Sequence, residues 1–234
     1  MTATRSLPVV LLPGFMLDET LWDDYLEKMT TDRSYLRLPL SPGETLQEIA
    51  AGYADRLPER FVIVGFSMGG YVARTLAAQY GERVTGMILI ATSLRDDTPL
   101  QKQRKRDAAA ATLNGSFQGL SPSAIKTSLH PEHAADPQLV QRIRNMGKTL
   151  GAQVFRNQSL LDRTDIPLNS INCPVLVISA RQDNLRLPEE AVELAERFTQ
   201  AESLVVEHCG HMIPLEQPAK LAEITTNWLA KHRL

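Results

Sequence analysis

Short apolar runs alternate with amphipathic segments along most of the chain. Six runs have the length and apolar content of β-strands, at residues 7–12, 35–38, 61–64, 84–90, 174–179 and 203–207. In most of the intervening segments, apolar residues recur at the spacing of a helix with one buried face. Strands and helices that alternate in this way favour a parallel sheet covered on both faces. The pattern therefore predicts an α/β fold with a doubly wound, mostly parallel sheet of six strands.

The alternation stops between residues 91 and 171. This segment is more polar than its surroundings, has the periodicity of helices and contains no convincing strand. We interpret it as a helical insertion between the fourth and fifth strands. The chain then divides into a core domain, residues 1–90 and 172–234, and an inserted segment, residues 91–171.

A tight turn between the third strand and its helix carries the most informative motif, Gly65-Phe66-Ser67-Met68-Gly69. In a Gly-x-Ser-x-Gly turn from a strand into a helix, the serine adopts a strained backbone conformation that exposes its hydroxyl group. The positions two residues before and after the serine lie too close to other backbone atoms for a side chain, and here both are glycine. Ser67 is therefore the candidate nucleophile. Gly81 is predicted to end the following helix in a left-handed conformation.

Two later strand ends carry the partners that a serine nucleophile needs. Asp183 follows the fifth predicted strand, and His211 follows the sixth. A serine hydroxyl is a weak nucleophile until a base removes its proton, and the imidazole needs a carboxylate to hold its tautomer. The chain order Ser, Asp, His is typical of this turn motif. We expect His211 to take the proton of Ser67 and Asp183 to orient His211.

Other titratable residues fit these roles less well. His208 lies next to the strand end, which favours packing or solvent exposure, whereas Gly210 gives His211 the freedom to turn toward the serine. Asp162 and Asp165 precede the fifth strand instead of following it. The remaining histidines are expected at the surface: His130, His133 and His232.

Composition and charge restrict the class of protein. With 43% hydrophobic and 22% charged residues, the chain can bury a full core and is not disordered. A net charge of −2 gives no electrostatic footprint for nucleic acid, and no apolar run approaches the roughly 18 residues of a membrane-spanning helix. The first residues lack the features of a secretory signal, so we expect a cytoplasmic protein without a nucleic-acid or membrane partner. Cys173 and Cys209 have no metal-ligand spacing, and no disulfide is expected in that compartment.

The basic run at residues 102–106 has two interpretations. It is either the solvated face of a helix or a surface that binds an anionic substrate. A solvated face is the commoner role of such runs, and the sequence favours it.

On these residues the chain resembles the α/β-hydrolase fold superfamily. The resemblance extends from Val9 to the last helix and rests on the turn at residues 65–70, on Asp183 after one strand and on Gly210-His211 after the next. The usual first two strands of the family are absent, because only about six residues precede the first strand here. This short start resembles the plant methyl esterase and hydroxynitrile lyase branch. The loop Phe15-Met16-Leu17 and the size of the insertion resemble bacterial carboxylesterases that act on pimeloyl methyl esters.

The resemblance implies an activity and further site residues. It implies that the backbone N–H groups of Phe15 and Met68 form an oxyanion hole and that residues 91–171 form a helical lid. It also implies a serine hydrolase that cleaves a small carboxylic ester, or a related acyl compound, through an acyl-enzyme without a metal or organic cofactor. The alternatives are a lyase or C–C bond hydrolase that uses the same triad, and a small-molecule receptor with low turnover.

The apolar residues of the insertion predict the substrate pocket. They have no sheet to pack against unless they cover the mouth of the pocket. Phe117, Met146 and Phe155 are therefore expected to meet the variable part of the substrate. The alternative is that most of these residues form a small core of the lid itself.

Overall fold

The computed structural model describes residues 6–29, 33–40, 42–114, 116–164 and 166–234. Within these ranges the strands are β1 (Val9–Leu12), β2 (Tyr35–Arg37), β3 (Phe61–Phe66), β4 (Val84–Ile90), β5 (Val175–Ala180) and β6 (Ala201–Val206). They form one six-stranded sheet in the order β2-β1-β3-β4-β5-β6, and all neighbours are parallel. The predicted fold class, an α/β fold with a parallel six-stranded sheet, is confirmed.

The α-helices of the described ranges connect these strands. Their bounds are α1 (Asp23–Lys28), α2 (Leu46–Ala51), α3 (Met68–Gln79), α4 (Pro99–Ala111), α5 (Pro122–Ser128), α6 (Pro131–Ala134), α7 (Pro137–Leu160), α8 (Pro188–Ala195), α9 (Ile213–Glu216) and α10 (Pro218–Lys231). Helices α4 to α7 all lie between β4 and β5 in the chain, where the sequence predicts a helical insertion.

Alternate residues of the central strands face opposite layers of the core. Val9 and Leu11 pack in one apolar cluster with helices α1 and α10, whereas Val10 and Leu12 pack in a second cluster with α2, α3 and α8. Successive side chains of a strand point to opposite faces, so a parallel sheet covered by helices needs apolar residues at every position. All four side chains are at most 1% exposed.

The inserted helices share the apolar core of the sheet. Ile125 of α5 and Ile143 of α7 belong to the same buried cluster as Val62 and Val64 of β3. Helix α7 changes direction at Gly151, where φ is 83° and no atom lies within 4 Å of the position that a Cβ would occupy. Because φ is positive there, glycine is the residue that permits this change of direction at low cost.

The end of α3 differs from the prediction. The left-handed conformation predicted for Gly81 is wrong, since among the described glycines only Gly119 and Gly151 have a positive φ. The helix ends instead at Tyr80, with φ −123°, and the N–H groups of Arg83 and Val84 both donate to the Tyr80 carbonyl oxygen. This turn leads the chain directly into β4 without a left-handed residue.

The strand register brings the carboxyl ends of the strands to one edge. Leu12 at the end of β1 is paired with Gly65 near the end of β3, and Ala180 of β5 is paired with Val206 of β6. The loops that follow β1, β3, β5 and β6 therefore leave the sheet at the same edge, which is where ligands bind in open parallel sheets.

The close approach between β3 and α3 gives a test of the fold. A Cβ on Gly65 would lie 2.7 Å from the carbonyl carbon of Gly69 and 2.8 Å from the Cα of Gly70. We expect Gly65→Ala to lower the free energy of unfolding by about 3 kcal/mol, the upper end of the cost of overpacking. Chemical denaturation measures this change. The control is Gly81→Ala, where the nearest atom is 3.3 Å away and about 0.5 kcal/mol is expected, so equal losses in both variants would contradict the explanation.

Candidate active site

Ser67 lies in a strained turn between β3 and α3. Its backbone has φ 49° and ψ −110°, and its N–H donates to the carbonyl oxygen of Ile90 at 2.8 Å. A Cβ on Gly69 would lie 2.6 Å from the carbonyl oxygen of Leu12, so this turn leaves no room for a side chain there. The strained conformation predicted for the serine is therefore present, and it holds the hydroxyl group in a cavity at the carboxyl edge of the sheet.

A chain of two hydrogen bonds links Ser67, His211 and Asp183. Nε2 of His211 lies 3.0 Å from Oγ of Ser67, and Nδ1 of His211 lies 2.7 Å from Oδ2 of Asp183. His211 is 4% exposed and Asp183 is 2% exposed. The structure thus brings together the three residues that the sequence selects, although they come from the loops after β3, β5 and β6.

The loop after β5 fixes the orientation of Asp183. Its Oδ1 accepts hydrogen bonds from the backbone N–H groups of Leu185 at 2.7 Å and Arg186 at 2.9 Å, which leaves Oδ2 for the imidazole. This loop is also tied to the loop after β6. The N–H of Gln182 donates to the carbonyl oxygen of Cys209, and the N–H of Cys209 donates to Oε1 of Gln182, both at 3.0 Å. The carboxylate and the imidazole are therefore held relative to each other through their backbones.

The inserted segment supports His211 from the other side. The N–H of His211 donates to the carbonyl oxygen of Ser128, the last residue of α5, at 2.7 Å. The ring of Phe66 packs on the imidazole with 5.2 Å between the ring centroids. These contacts fix the imidazole in a position where both of its nitrogens reach their partners.

Glu216 is a buried carboxylate that the sequence analysis missed. Its side chain has no exposed area, and it accepts hydrogen bonds from the backbone N–H groups of Met212 at 3.0 Å and His130 at 2.7 Å. Nδ1 of His133 lies 2.8 Å from the same carboxylate. Glu216 thus joins the segment after His211 to the inserted helices, and no motif around it signals this contact.

The other histidines and aspartates lie where they cannot replace His211 or Asp183. The position predicted for one of them, His130, needs a correction. His208 is exposed, with φ 51°, and Asp162 is exposed and bonded to Thr164, whereas Asp165 lies outside the described residues. The surface position predicted for His130 is wrong, because this residue is 8% exposed and its backbone N–H donates to Glu216.

The loop after β1 borders the same cavity as Ser67. Phe15 and Met68 line this cavity, and Met68 is the first residue of α3, where a backbone N–H has no partner within the helix. Between them, Met16 has φ 55°, and its N–H donates to Oε1 of Gln158 at 2.8 Å in a buried contact. Gln158 lies near the end of α7, beyond the change of direction at Gly151. The inserted segment therefore holds this loop as well.

The cavity beside Ser67 has a volume of about 380 Å³. Of the three lid residues predicted to meet a substrate, Phe155 lines it. Phe117 and Met146 are not among the residues of its wall, and their contact with a substrate stays a prediction. Phe117 packs behind Phe155, with 4.9 Å between ring centroids, and Met146 is buried in the apolar cluster of the sheet.

Cationic side chains form much of the remaining wall: Arg104, Lys105, Arg163 and Arg186. Lys105 and Arg163 both form ion pairs with Asp97, the carboxylate in the same wall. Burial, and next the positive charge of Arg163, lower the pKa of Lys105. Although burial raises it, the hydrogen bond from Lys105 and the charge of Arg163 hold the pKa of Asp97 below its usual value. Of residues 102–106, Lys105 departs from the predicted solvated face because it is half-buried in this wall, whereas Arg104 is exposed to solvent and also lines the cavity.

The two cysteines differ from reactive thiols, which have a lowered pKa. Cys173 and Cys209 are both free thiols, and burial raises the pKa of Cys173 to about 11 and that of Cys209 further. No group of three or more His, Cys, Asp or Glu side chains in the described ranges could hold a metal ion. Among the helices of those ranges, none combines the length and the apolar character needed to cross a bilayer.

Comparisons with known proteins agree with the fold. A family model described as "alpha/beta hydrolase fold" matches residues 57–218. The pimeloyl-[acyl-carrier protein] methyl ester esterase of Nitrosomonas europaea is 26% identical over 90% of this chain and 90% of that protein. A thermophilic esterase from Thermogutta terrifontis, solved with malate bound, has a TM-score of 0.84 and 27% identity, covering 98% of this chain and 92% of that chain. The enol-lactonase from Burkholderia xenovorans has the same fold, with a TM-score of 0.76 and 20% identity over 98% of this chain and 94% of that chain.

These similarities extend over almost the whole chain. Two of these relatives are esterases by name, which agrees with the carboxylic ester hydrolase predicted from the sequence. The family model covers more than half of the residues, including the turn that holds Ser67. The chain belongs to the alpha/beta hydrolase fold family.

Proposed function

We propose that this protein is a serine hydrolase that cleaves a small carboxylic ester through an acyl-enzyme. The observation that carries the proposal is the position of His211, with one imidazole nitrogen 3.0 Å from the Ser67 hydroxyl and the other 2.7 Å from the Asp183 carboxylate. A buried imidazole between a strained serine and a carboxylate is the arrangement that activates a serine nucleophile. The proposal needs no metal ion and no organic cofactor.

The first half of the reaction forms the acyl-enzyme. Asp183 accepts a hydrogen bond from Nδ1–H of His211, which leaves Nε2 as the acceptor for the Ser67 proton. Oγ of Ser67 attacks the ester carbonyl carbon while Nε2 takes the proton. His211 then gives this proton to the departing alcohol, and the acyl group stays on Ser67. In the second half, His211 takes a proton from water, the hydroxide attacks the acyl carbon, and the acid leaves as Ser67 regains its proton.

The oxyanion of each tetrahedral intermediate accepts hydrogen bonds from the N–H groups of Phe15 and Met68. Such donors stabilise a developing negative charge because they are already oriented when the charge forms. The positive end of α3, which begins at Met68, adds to this effect. Residues 91–171 serve as a lid that shapes the cavity and holds two of its loops, and Phe155 contacts the variable part of the substrate. A cytoplasmic location stays a prediction from the sequence.

Loss of the nucleophile tests the proposal directly. We expect Ser67→Ala to fold normally and to lose hydrolysis of p-nitrophenyl esters, with kcat lower by a factor on the order of 10⁶, as for removal of the serine in subtilisin. Steady-state kinetics and a thermal melt of the same preparation measure the two quantities. A variant that keeps a tenth of the activity would eliminate Ser67 as the nucleophile.

The two histidines after β6 provide a matched pair. We expect His211→Ala to be nearly as damaging as loss of the serine, because no other imidazole contacts Oγ of Ser67 within the described residues. His208→Ala should change kcat less than about twofold, since His208 is exposed and its side chain lies outside the cavity wall. The measurement is kcat at saturating ester for both variants. Similar losses in the two would reopen the assignment of the base.

Gln158 is proposed as a positioning residue for the oxyanion loop. Gln158→Leu removes the acceptor of the Met16 N–H while keeping a similar volume. We expect kcat to fall by roughly 10-fold to 100-fold, less than the 10²–10³ for loss of a direct donor, and KM to change little. Gln158→Glu, which keeps an oxygen acceptor, should recover most of the activity.

The control for this variant lies on the same helix. Gln153 is exposed and bonds to Asn157, so Gln153→Leu should leave kcat unchanged. If Gln158→Leu and Gln153→Leu behave alike, the hydrogen bond to Met16 does not support catalysis.

A further inference from the structure

Positive charge is concentrated in the cavity that holds Ser67. Arg104, Lys105, Arg163 and Arg186 line it, and Asp97 is the carboxylate in its wall. The chain as a whole carries a net charge of −2. The positive wall is therefore a local feature of this cavity and not a consequence of the overall composition.

Two of the four cationic side chains have little negative charge close to them. Lys105 and Arg163 share Asp97, and Arg163 also lies over the ring of Tyr71 at 5.3 Å. In the described part of the chain, by contrast, no carboxylate oxygen lies within ion-pair distance of Arg104. Arg186 lies 3.8 Å from a carboxylate oxygen of Glu190, a residue that is not part of the cavity wall.

Three of the four cationic side chains are partly buried, which makes their shared positive charge costly, whereas Arg104 is exposed. The side chains of Arg163, Arg186 and Lys105 are 13%, 20% and 33% exposed. Like charges that are partly withdrawn from water repel one another more strongly than surface charges do, because the local dielectric constant is lower. An anionic ligand relieves this repulsion.

The positions of the two arginines relate them to the reaction. Arg186 follows Asp183 by three residues, and its N–H orients the Asp183 carboxylate while its side chain lines the cavity. Arg104 lies on α4, on the inserted segment that covers the cavity. A substrate whose carbonyl carbon reaches Ser67 thus has guanidinium groups available for its remaining part.

We propose that the preferred substrate is an ester that carries an anionic group, a carboxylate or a phosphate, separated from the scissile carbonyl, and that Arg104 and Arg186 bind this group. Guanidinium groups match both anions in geometry and remain charged at neutral pH. This inference rests on the proposed esterase function and names the substrate class of the same site.

Matched pairs of esters test the inference. Monomethyl esters of dicarboxylic acids of increasing length are compared with methyl esters of the neutral monocarboxylic acids of the same length. We expect kcat/KM to favour the anionic ester by roughly 10-fold to 100-fold at one preferred length, as expected for hydrogen bonds to a charged group. A third series, with a terminal phosphonate instead of the carboxylate, shows which of the two anions the site prefers. A ratio near one at every length in both anionic series would overturn the proposal.

Charge-removing variants locate the effect. Arg104→Gln and Arg186→Gln should each lower the ratio of anionic to neutral kcat/KM by about 10-fold, and Arg104→Lys should restore part of it. The control is Arg106→Gln on the same helix, which removes a positive charge from outside the wall of this cavity and should leave the ratio unchanged. An equal fall in the Arg106 variant would contradict a local binding site and indicate a general effect of net charge.

A binding measurement distinguishes failure of the proposed anionic site from failure of the proposed esterase function. The dicarboxylates and their phosphonate analogues should protect Ser67 from a fluorophosphonate, and Arg104→Gln and Arg186→Gln should weaken this protection. If neutral esters are hydrolysed through Ser67 without any preference for the anionic series and without protection, the anionic site is wrong and the esterase proposal stands. If protection occurs but no ester is hydrolysed, the esterase proposal fails and the anionic site stands.

Discussion

The close contact between the end of β3 and the start of α3 is the constraint on which the site depends. Gly65 and Gly69 allow the backbones to approach so closely that Ser67, between them, adopts a φ of 49°. An ordinary connection would turn the serine side chain along the sheet instead of into the cavity. The strain is maintained by the packing of two apolar layers on the sheet, because β3 is buried along its whole length. The core thus stabilises a conformation that the turn alone would not adopt.

The inserted helices contribute to the site as supports rather than only as a cover. The end of α5 accepts the hydrogen bond from the His211 backbone, and the end of α7 supplies Gln158 to the Met16 N–H. Glu216 adds a third connection through the backbone of His130. Consequently, both His211 and the loop after β1 are held by residues that come from between β4 and β5. Changes in this segment are therefore expected to alter turnover as well as substrate selection.

Much of the fold and the three central residues could be predicted from the sequence because local rules govern them. Apolar runs of strand length predict the sheet. The carboxyl ends of parallel strands lie at one edge of it, so Ser67, Asp183 and His211 are predicted to lie close together. Gln158 could not be predicted, since its partner lies 142 residues away and the contact depends on how α7 turns at Gly151. The periodicity of a helix predicts which face is buried, but it does not predict which element that face packs against.

The same limit applies to the residues around the cavity. Phe117 and Phe155 are both aromatic residues of the segment between β4 and β5, yet Phe155 lines the cavity and Phe117 packs behind it. The basic run of α4 is mostly exposed, as its composition predicts, but two of its residues also line the cavity. Only the rotation of α4 about its axis brings Arg104 and Lys105 to the cavity, and that rotation is set by tertiary packing.

The most direct test of the central claim, an acyl-enzyme on this site, is the partitioning of the acyl group between water and methanol. Esters with one acyl group and different alcohols are hydrolysed in the presence of methanol, and the ratio of methyl ester to free acid is measured. Because a common acyl-enzyme precedes both products, the account predicts the same ratio for every alcohol. A ratio that changes with the alcohol would show that the leaving group is still present when water attacks, and would contradict the acyl-enzyme mechanism.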